Sequence, residues 1–278
     1  MTVKIKEVAI DSTAIVHSTA EIDSGVSVGP YSIIGENVKI GKGTRVGPHV
    51  VVGENTTLGR DCVVFQFASV GAPPQDLAYK GEKTCAVIGN NNIIREFVTI
   101  HRGTVKDKGR TVCGDNNLFM NYAHVAHDCV VGSNVVMANA ATLAGHVVVE
   151  DYAIVGGLVA VHQHVKLGAH CIIGGASAVS KDIPPFVMAV GNRARVLGLN
   201  LIGLRRRGFS KGDIDEIKRS FKILFRSSMP LKEAAIMLKQ ELPNSPHAKR
   251  YLEFIEGSKR GVARVRISGK DEEEADVL

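Results

Sequence analysis

The sequence predicts a parallel β-helix of triangular cross-section, followed by a small helical domain. Aliphatic side chains recur at every sixth residue: from Ile10 to Ile100 this lattice has 16 positions, of which 14 are aliphatic. A second lattice, shifted by one residue, runs from Cys113 to Val179, and all 12 of its positions are apolar. A strand repeats every two residues and a helix every ~3.6, so neither explains this period. A solenoid of short strands does, and three six-residue sides give an eighteen-residue coil.

The repeat defines a β-helix over residues 1–190, with two interruptions. The first covers residues 72–83, where Asp76 and Glu82 break the lattice. The second covers residues 101–110, where the phase slips by one residue. Both are predicted to be loops that leave a corner of the coil. Loops on a regular solenoid commonly form its binding face, so we expect the functional residues near them.

A helical C-terminal domain is predicted over residues 191–262, because Pro184-Pro185 ends the repeat and the pattern becomes helical after Asn192. Ser210 and Asp213 have the spacing of a capping box at a helix start. Pro230 suits the first turn of a second helix, and a third is predicted from about Pro246 to Gly257. Residues 263–278 form an acidic tail that we expect to be disordered.

Composition and charge narrow the classes of protein. The chain has 278 residues, 22% of them charged, and it contains no apolar signal core and no apolar run long enough to cross a bilayer. A cytoplasmic protein without stable membrane insertion is expected. The five cysteines lack any CxxC pair and are expected to be reduced and mostly buried. Between Arg193 and Arg226 there are ten bases and three acids, which favours an anionic partner: nucleic acid, a nucleotide-linked substrate or an acidic carrier protein.

Five of the ten histidines lie close together in the second half of the repeat, and none of them occupies a lattice position. They are His124, His127, His146, His162 and His164. Side chains off the lattice must lie at corners or point outward. These histidines are therefore predicted to serve a surface function rather than to fill the core.

Their order within the eighteen-residue coil predicts which of them stack. His127, Gly145 and Gln163 share one coil position, and Asp128, His146 and His164 share the next. Adjacent parallel strands lie ~4.8 Å apart. Glycine above His127 leaves room and an approachable N–H beside the imidazole. A histidine, an adjacent carboxylate and a free backbone donor suit acyl transfer to a hydroxyl, with the histidine as general base. No nucleophile elbow is present, so direct attack by the acceptor is preferred over an acyl-enzyme.

Several longer runs resemble one family. They include Gln75-Asp76-Leu77, Ile100-His101-Arg102-Gly103-Thr104, Ala123-His124-Val125-Ala126-His127-Asp128-Cys129, Leu143-Ala144-Gly145-His146, Val161-His162-Gln163 and Arg206-Arg207-Gly208-Phe209. Over residues 8–262 the chain is similar to the UDP-N-acetylglucosamine acyltransferases, which catalyse the first step of lipid A biosynthesis. The resemblance implies a left-handed coil, which is an exception to the usual crossover rule, and a homotrimer with active sites between subunits.

The resemblance also implies a reaction and its residues. A 3-hydroxyacyl group would move from acyl carrier protein to the 3-position of UDP-N-acetylglucosamine, with no cofactor, no metal and no nucleic acid. His127 would be the base, Asp128 its orienter, and the N–H of Gly145 the oxyanion donor. The substrate-binding residues would be Gln75, Asp76, His124, His146, Gly157, His162, Gln163, Gly175, Asn200, Arg206 and Arg207.

Two positions depart from the pattern of that family. Ala78 stands where a substrate-binding lysine is usual, and Lys80 is the expected substitute because alternation puts it on the same side of an extended segment. Ile202 stands where a carboxylate is usual. These two departures leave open whether the acceptor carries a 3-hydroxyl or a 3-amino group, and the preferred acyl-chain length is also left open.

Three other functions fit the same repeat less well. A zinc carbonic anhydrase would need three histidines with a pair four residues apart, which the chain lacks. The later lipid A N-acyltransferases generally carry an N-terminal domain before the repeat, which here begins by Ile10. A non-catalytic trimeric scaffold does not explain the clustered histidines outside the core.

Overall fold

A computed structural model describes residues 7–265, and within them the chain forms a left-handed parallel β-helix capped by helices. Three sheets make the three sides of the coil, and their strands are parallel except for the last strand of sheet 1. Across most of the length each strand pairs with its counterpart one coil later, as in Ser27↔Arg45 and Val136↔Ile154. The eighteen-residue coil predicted from the sequence is confirmed.

The strands are short, mostly of two residues, because each side of the coil is only six residues long. Sheet 1 contains Ala9–Ile10, Ser27–Val28, Arg45–Val46, Val63–Val64, Ile93–Ile94, Leu118–Phe119, Val136–Met137, Ile154–Val155, Ile172–Ile173, Val187–Val190 and Arg195–Leu199. Sheet 2 contains Ile15–Val16, Ile33–Ile34, Val51–Val52, Ser69–Ala72, Thr99–His101, His124–Val125, Thr142–Leu143, Ala160–Val161 and Ala178–Val179. Sheet 3 contains Glu21–Ile22, Lys39–Ile40, Thr56–Leu58, Cys85–Ile88, Arg110–Cys113, Val130–Val131, Val148–Val149 and Lys166–Leu167.

The core is the narrow interior of the triangle, and the lattice side chains fill it. Ile34, Ile100 and Leu143 are at most 1% exposed. The five cysteines are free, and all but Cys85 are buried. Burial raises the pKa of the Cys129 thiol to about 12, so this sulfur stays protonated and unreactive.

The corners depend on residues in the left-handed conformation. Asn37, Asn116 and Asn134 have φ between 54° and 59°, a region that asparagine tolerates better than most residues. At each such corner the N–H still finds a partner in the coil below: that of Asn134 donates to the carbonyl of Asp115 at 2.9 Å. The stacking of coils therefore offsets the cost of the strained corner, and other residue types, Asp128 and His146 among them, adopt the same conformation.

Two loops, of residues 73–84 and 102–109, leave the corner from sheet 2 to sheet 3. Across the first loop Ile88 pairs with Leu58, and the number of residues between them exceeds one coil by two hexapeptides. Across the second loop Cys113 pairs with Ile88, and the number of residues between them exceeds one coil by seven. An insertion of two whole hexapeptides preserves the six-residue phase, whereas a seven-residue insertion shifts it by one. The phase slip in the sequence is thereby explained.

The C-terminal end of the coil is closed by a hairpin and four helices. Val187–Val190 pairs antiparallel with Arg195–Leu199, a strand that the sequence pattern did not predict in this stretch. The helices are Leu201–Arg206, Lys211–Phe225, Leu231–Glu241 and Pro246–Glu256. The predicted capping box is confirmed, since Ser210 and Asp213 bind each other's backbone N–H. Of the predicted tail, residues 263–265 still belong to the fold, because Ala263 and Val265 are buried and Val265 forms a β-bridge with Val196. From residue 266 onward the tail lies outside the described residues.

An aromatic column joins this helical cap to the corner from sheet 3 to sheet 1. Tyr152, His170 and Phe186 stack with ring centroids 4.8 and 5.8 Å apart, and Phe209 meets His170 edge-on at 5.0 Å. All three column residues have positive φ.

The described helices include none that is both long and apolar enough to cross a lipid bilayer.

His170 in this column should make stability depend on pH. Burial lowers its pKa from 6.5 to about 4, so the unfolded chain takes up a proton below pH 6.5 that the folded chain does not. Stability should therefore be lost as the pH falls from 6.5 towards 4. The variant His170→Phe keeps the stack in a position where Phe186 already shows that phenylalanine is accepted. As the pH is lowered from 7 to 5, the melting temperature of His170→Phe should fall less than that of the unmodified protein. An equal fall of the two melting temperatures would contradict this.

Candidate active site

The corner from sheet 2 to sheet 3 collects the predicted histidines. The N–H of His146 donates to the carbonyl of His127 at 3.0 Å, and that of His164 donates to the carbonyl of Gly145 at 3.2 Å. These bonds hold Asp128, His146 and His164 in one column, with φ of 59°, 62° and 62°. The stacking predicted from the coil period is confirmed, and none of the five histidines lies in the core.

His127 and Asp128 form a tight pair at the centre of this corner. Nδ1 of His127 lies 2.9 Å from Oδ2 of Asp128. The Asp128 side chain is only 1% exposed, whereas that of His127 is 15% exposed. An ionised carboxylate can only accept hydrogen bonds, so His127 donates from Nδ1 and leaves Nε2 free to accept a proton. This is the arrangement of an oriented general base.

Gly145 lies directly against the ring of His127. A Cβ at this position would be 2.5 Å from Cε1 and 2.7 Å from Nε2 of His127, closer than any side chain permits. Glycine is therefore required for the ring to keep its place. Within residues 7–265 the N–H of Gly145 has no hydrogen-bond acceptor, which leaves it available to an oxyanion.

His146 continues the site on the next coil. Its Nδ1 lies 3.2 Å from Oδ2 of Asp107, and its Nε2 lies 4.0 Å from Oδ2 of Asp128. The ring meets that of His127 edge-on at 5.1 Å and stacks on His164 at 4.5 Å. Burial, followed by the nearby His146, lowers the pKa of His164. Asp107 comes from the second loop, so that loop orients His146.

His124 and His101 border the site on the outer face of sheet 2. Nδ1 of His124 lies 2.6 Å from the Thr99 hydroxyl, and its ring meets His101 edge-on at 4.9 Å. His101 is 6% exposed and its buried Nδ1 has no partner in the described structure. Burial is the main cause that lowers both pKa values, that of His101 to about 4. Both rings are therefore neutral at physiological pH.

A buried arginine ties the first loop to the site. Arg102 is 4% exposed, and its guanidinium donates to the Tyr79 hydroxyl at 2.9 Å and to Oε1 of Glu54 at 2.5 Å. Tyr79 belongs to the loop of residues 73–84, so Arg102 fixes that loop against the root of the second one.

Asp76 is bound by a lysine that the sequence did not single out. Nζ of Lys106 lies 2.8 Å from Oδ2 of Asp76, and this bond is the main cause that lowers the pKa of Asp76. The ammonium beside Asp76 therefore comes from the second loop. The backbone N–H of Lys80 binds Glu82. The expectation that Lys80 replaces the substrate-binding lysine missing at Ala78 stays a prediction.

The remaining predicted residues fall into three places. Gln75, His162 and Gln163 are exposed beside the histidine corner. Gly157 and Gly175 lie one coil apart at the corner from sheet 1 to sheet 2, where a Cβ on Gly175 would be 3.2 Å from the carbonyl oxygen of Gly157.

Asn200, Arg206 and Arg207 lie at the third corner, from sheet 3 to sheet 1. Asn200 caps the first helix by accepting from the N–H of Gly203 and donates to the carbonyl of His170. Arg207 lies 4.5 Å over the Tyr152 ring and donates to the Tyr152 carbonyl, and Arg206 is exposed. Within one chain these residues do not meet His127, because they occupy a different corner.

Sequence reasoning missed four residues of the second loop and its root: Thr99, Thr104, Lys106 and Asp107. Their contacts depend on how the loop folds back over the corner, and no periodicity describes that. Thr104 does lie in the run from Ile100 to Thr104, which drew attention as a family motif. The motif pointed to the segment but not to its partners.

The site can perform proton abstraction from a bound hydroxyl, with stabilisation of a negative oxygen by the Gly145 N–H. His127, Asp128 and His146 also form a group of possible metal ligands, because one ligand atom from each lies within 4.8 Å of the others. The Nδ1 of His127 is already bonded to Asp128, so a metal would have to compete with that hydrogen bond or use Nε2.

Comparison with known proteins assigns the chain to a family. Residues 182–263 match the family model described as UDP-N-acetylglucosamine O-acyltransferase, domain 2. Residues 31–66 and 110–145 match the model of six bacterial transferase hexapeptide repeats. The acyl-[acyl-carrier-protein]–UDP-N-acetylglucosamine O-acyltransferase of Aquifex aeolicus is 62% identical over 255 residues, which cover 92% of this chain and 98% of that protein. This chain belongs to the UDP-N-acetylglucosamine O-acyltransferase family.

Other members of the family agree. The enzyme of the same description from Thermodesulfovibrio yellowstonii is 55% identical over 255 residues, covering 92% of this chain and 99% of that one. The structure of LpxA from Acinetobacter baumannii superposes with a TM-score of 0.89 at 47% identity, over 92% of this chain and 99% of that chain. The Francisella novicida UDP-N-acetylglucosamine acyltransferase gives 0.91 at 40% identity, over 97% and 99%. The chain is accordingly an acyltransferase.

The contact between Gly145 and His127 predicts the effect of one added methyl group. In Gly145→Ala the methyl would displace the imidazole from Asp128, and a misplacement of about 1 Å can cost about 10²-fold in rate. We expect such a loss of acyl transfer with an unchanged far-ultraviolet circular dichroism spectrum. Gly198→Ala is the matched control, because a Cβ there meets nothing within 4 Å. Full activity of Gly145→Ala would refute the packing argument.

Proposed function

We propose that this chain transfers a 3-hydroxyacyl group from acyl carrier protein to the 3-position of UDP-N-acetylglucosamine or a close analogue, the first step of lipid A biosynthesis. The observation that carries the proposal is the His127–Asp128 pair beside the free N–H of Gly145. Two relatives, 55% and 62% identical over 92% of the chain, are named for an acyl carrier protein donor and a UDP-N-acetylglucosamine acceptor, which supports this choice of substrates.

The proposed chemistry is a single direct transfer. Nε2 of His127 takes the proton of the acceptor group as its oxygen or nitrogen attacks the thioester carbonyl of the donor. The negative charge that develops on the carbonyl oxygen faces the N–H of Gly145. As the intermediate collapses, the carrier thiolate leaves and takes the proton from the His127 imidazolium. Asp128 stabilises that imidazolium through Nδ1.

The substrate would be held by groups that surround this pair. Asp76 and Gln75 on the first loop, His124 on sheet 2, and His146, His162 and Gln163 along the corner are proposed to bind the sugar and the acyl group. The anionic diphosphate suits Asn200, Arg206 and Arg207, because a guanidinium binds phosphate through paired donors. An acidic carrier protein is proposed to bind the basic segment between Arg193 and Arg226, which has ten bases and three acids.

The separation of these groups supports a homotrimer with sites between subunits. The histidines occupy the corner from sheet 2 to sheet 3, whereas the arginines occupy the corner from sheet 3 to sheet 1. One substrate can meet both sets most simply if a second copy of the chain supplies one of them.

The proposal also gives each part of the chain a role. Residues 1–190 are the catalytic unit, and residues 191–262 close its C-terminal end. The protein works in the cytoplasm without a cofactor.

A transfer assay tests the function. Purified protein is offered 3-hydroxyacyl carrier proteins of several chain lengths, with acceptors that carry either a 3-hydroxyl or a 3-amino group. His127→Ala should lose about 10²–10⁴-fold in kcat, the usual contribution of a general base, and keep its assembly. His17→Ala replaces an exposed histidine far from the site and should retain full activity. EDTA should change nothing, because no metal takes part in the proposed steps.

The assay also has outcomes that would overturn the proposal. Absence of transfer to either acceptor with every donor would refute the substrates. Near-normal turnover by His127→Ala would refute the base, and loss of activity in EDTA that zinc restores would favour a metal at His127, Asp128 and His146.

The glycine strip predicts an effect on donor length. Gly157 and Gly175 leave two successive coils bare at the corner from sheet 1 to sheet 2, and we propose that the acyl chain lies along this strip, which favours a long donor. Gly175→Met would fill it with a flexible apolar side chain, at the cost of a close Cβ contact of 3.2 Å with the Gly157 carbonyl oxygen. Preference should shift to shorter donors. An unshifted profile in a stable Gly175→Met variant would mean that the chain binds elsewhere.

A further inference from the structure

Asp128 depends on one residue of the second loop. Its side chain is 1% exposed, and a buried carboxylate is costly unless its oxygens are hydrogen-bonded. The backbone N–H of Thr104 donates to both oxygens, at 2.9 Å to Oδ1 and 3.1 Å to Oδ2. The Thr104 hydroxyl donates to Oδ2 at 2.7 Å. Within the described chain Thr104 thus provides three of the four hydrogen bonds to this carboxylate, and His127 provides the fourth.

Thr104 and His127 both donate to the same oxygen of Asp128. Oδ2 of Asp128 receives both the Thr104 hydroxyl and Nδ1 of His127. A carboxylate can rotate about the bond to its Cβ, which would carry Oδ2 away from the imidazole. With the Thr104 N–H on both oxygens and the hydroxyl on Oδ2, that rotation breaks three bonds at once. The hydrogen bonds from Thr104 therefore fix the plane of the carboxylate and the angle at which its oxygen faces His127.

Thr104 is itself held in place. It is 2% exposed, and its carbonyl accepts from the N–H of Gly109 at 3.1 Å, which closes the second loop on itself. Arg102, two residues earlier, is buried against Tyr79 and Glu54. Gly103 between them lies against the backbone of Arg110, where no Cβ would fit. A donor on so constrained a segment is preorganised rather than adaptable.

We propose that Thr104 is a positioning residue of the acyl transfer: its hydroxyl and N–H orient the Asp128 carboxylate, which holds His127 as the Nδ1–H tautomer with Nε2 directed to the acceptor. The inference rests on the proposed role of His127 as base. It assigns to the seven-residue insertion in the coil a task in catalysis, because that insertion carries the threonine over the corner.

Thr104→Val tests the hydroxyl while the shape and the backbone bonds remain. We expect kcat to fall by about 10- to 100-fold, the range for loss of a hydrogen bond to a charged group, with both KM values within about twofold. Thr104→Ser, which restores the hydroxyl, should recover most of the rate. In the Asp128→Asn background the same Thr104→Val change should cost less than about twofold, since Thr104 acts only through the carboxylate.

Thr44→Val is the matched structural control. Thr44 is also fully buried, and its hydroxyl donates to the Gly59 carbonyl at 2.7 Å and accepts from the Cys62 N–H at 3.0 Å. Its corner is far from the histidines. This variant should lose melting temperature as Thr104→Val does and keep kcat, so a loss of kcat confined to Thr104→Val separates positioning from stability.

The tautomer of His127 gives a readout that needs no turnover. Nitrogen-15 spectra of histidine-labelled protein, assigned with His127→Gln, should show the Nδ1–H form in the unmodified protein and a mixture in Thr104→Val. An unchanged tautomer together with an unchanged kcat would overturn the inference while the proposed function stands. Equal losses in the Asp128→Asn and native backgrounds would also overturn it, because Thr104 would then act independently of Asp128. If the unmodified protein transfers no acyl group, the function fails, and the spectra alone decide the role of Thr104.

Discussion

The register of the coil is the constraint on which the rest of this structure depends. Each strand lies over its counterpart in the coil before it, so a residue's place in the coil determines its neighbours above and below. Through this register Gly145 comes to lie on the His127 ring and His146 beside Asp128. The parallel ladders leave little freedom to slide, because a shift by one residue would turn every inward aliphatic side chain out of the core. Core packing and the geometry of the candidate site are thus two results of the same alignment.

The electrostatics of the site follow from where the register puts charge. Five histidines lie within ring contact of another histidine at the active corner or beside it: His101, His124, His127, His146 and His164. Like charges so close would repel one another, and burial lowers the pKa of His101 and His124, so these two rings stay neutral. Asp128 is the buried carboxylate among them. The negative charge is therefore directed at His127, the ring whose Nδ1 bonds to it, and not spread over the cluster.

Periodic features were predictable from the sequence, and aperiodic ones were not. The lattice identified the core, the coil length and the columns that contain Asp128 and His164, because each is a statement about residue spacing. The capping box at Ser210 was predictable for the same reason. The pairing of Lys106 with Asp76 was not predicted, because a loop returns across space in a way that alternation along the chain cannot describe. The strand Arg195–Leu199 was missed because pairing with Val187–Val190 overrode a stretch without a strand pattern.

The two insertions show how a repeat fold acquires a site without losing its core. An insertion inside a strand would misalign a whole sheet, whereas one at a corner disturbs no ladder and costs only the closure of a loop, which grows slowly with length. Both insertions use the corner that carries the histidines. The first insertion, of two hexapeptides, keeps the six-residue phase. The second is longer than one hexapeptide by a single residue and shifts the phase, and yet Val112 still pairs with Val87 in the coil before it. What is preserved is therefore the spatial register and not the count of residues. The loop that shifts the phase brings Thr104 to Asp128 and Asp107 to His146, so this break in the lattice lies where the proposed chemistry requires contacts that no repeat can supply.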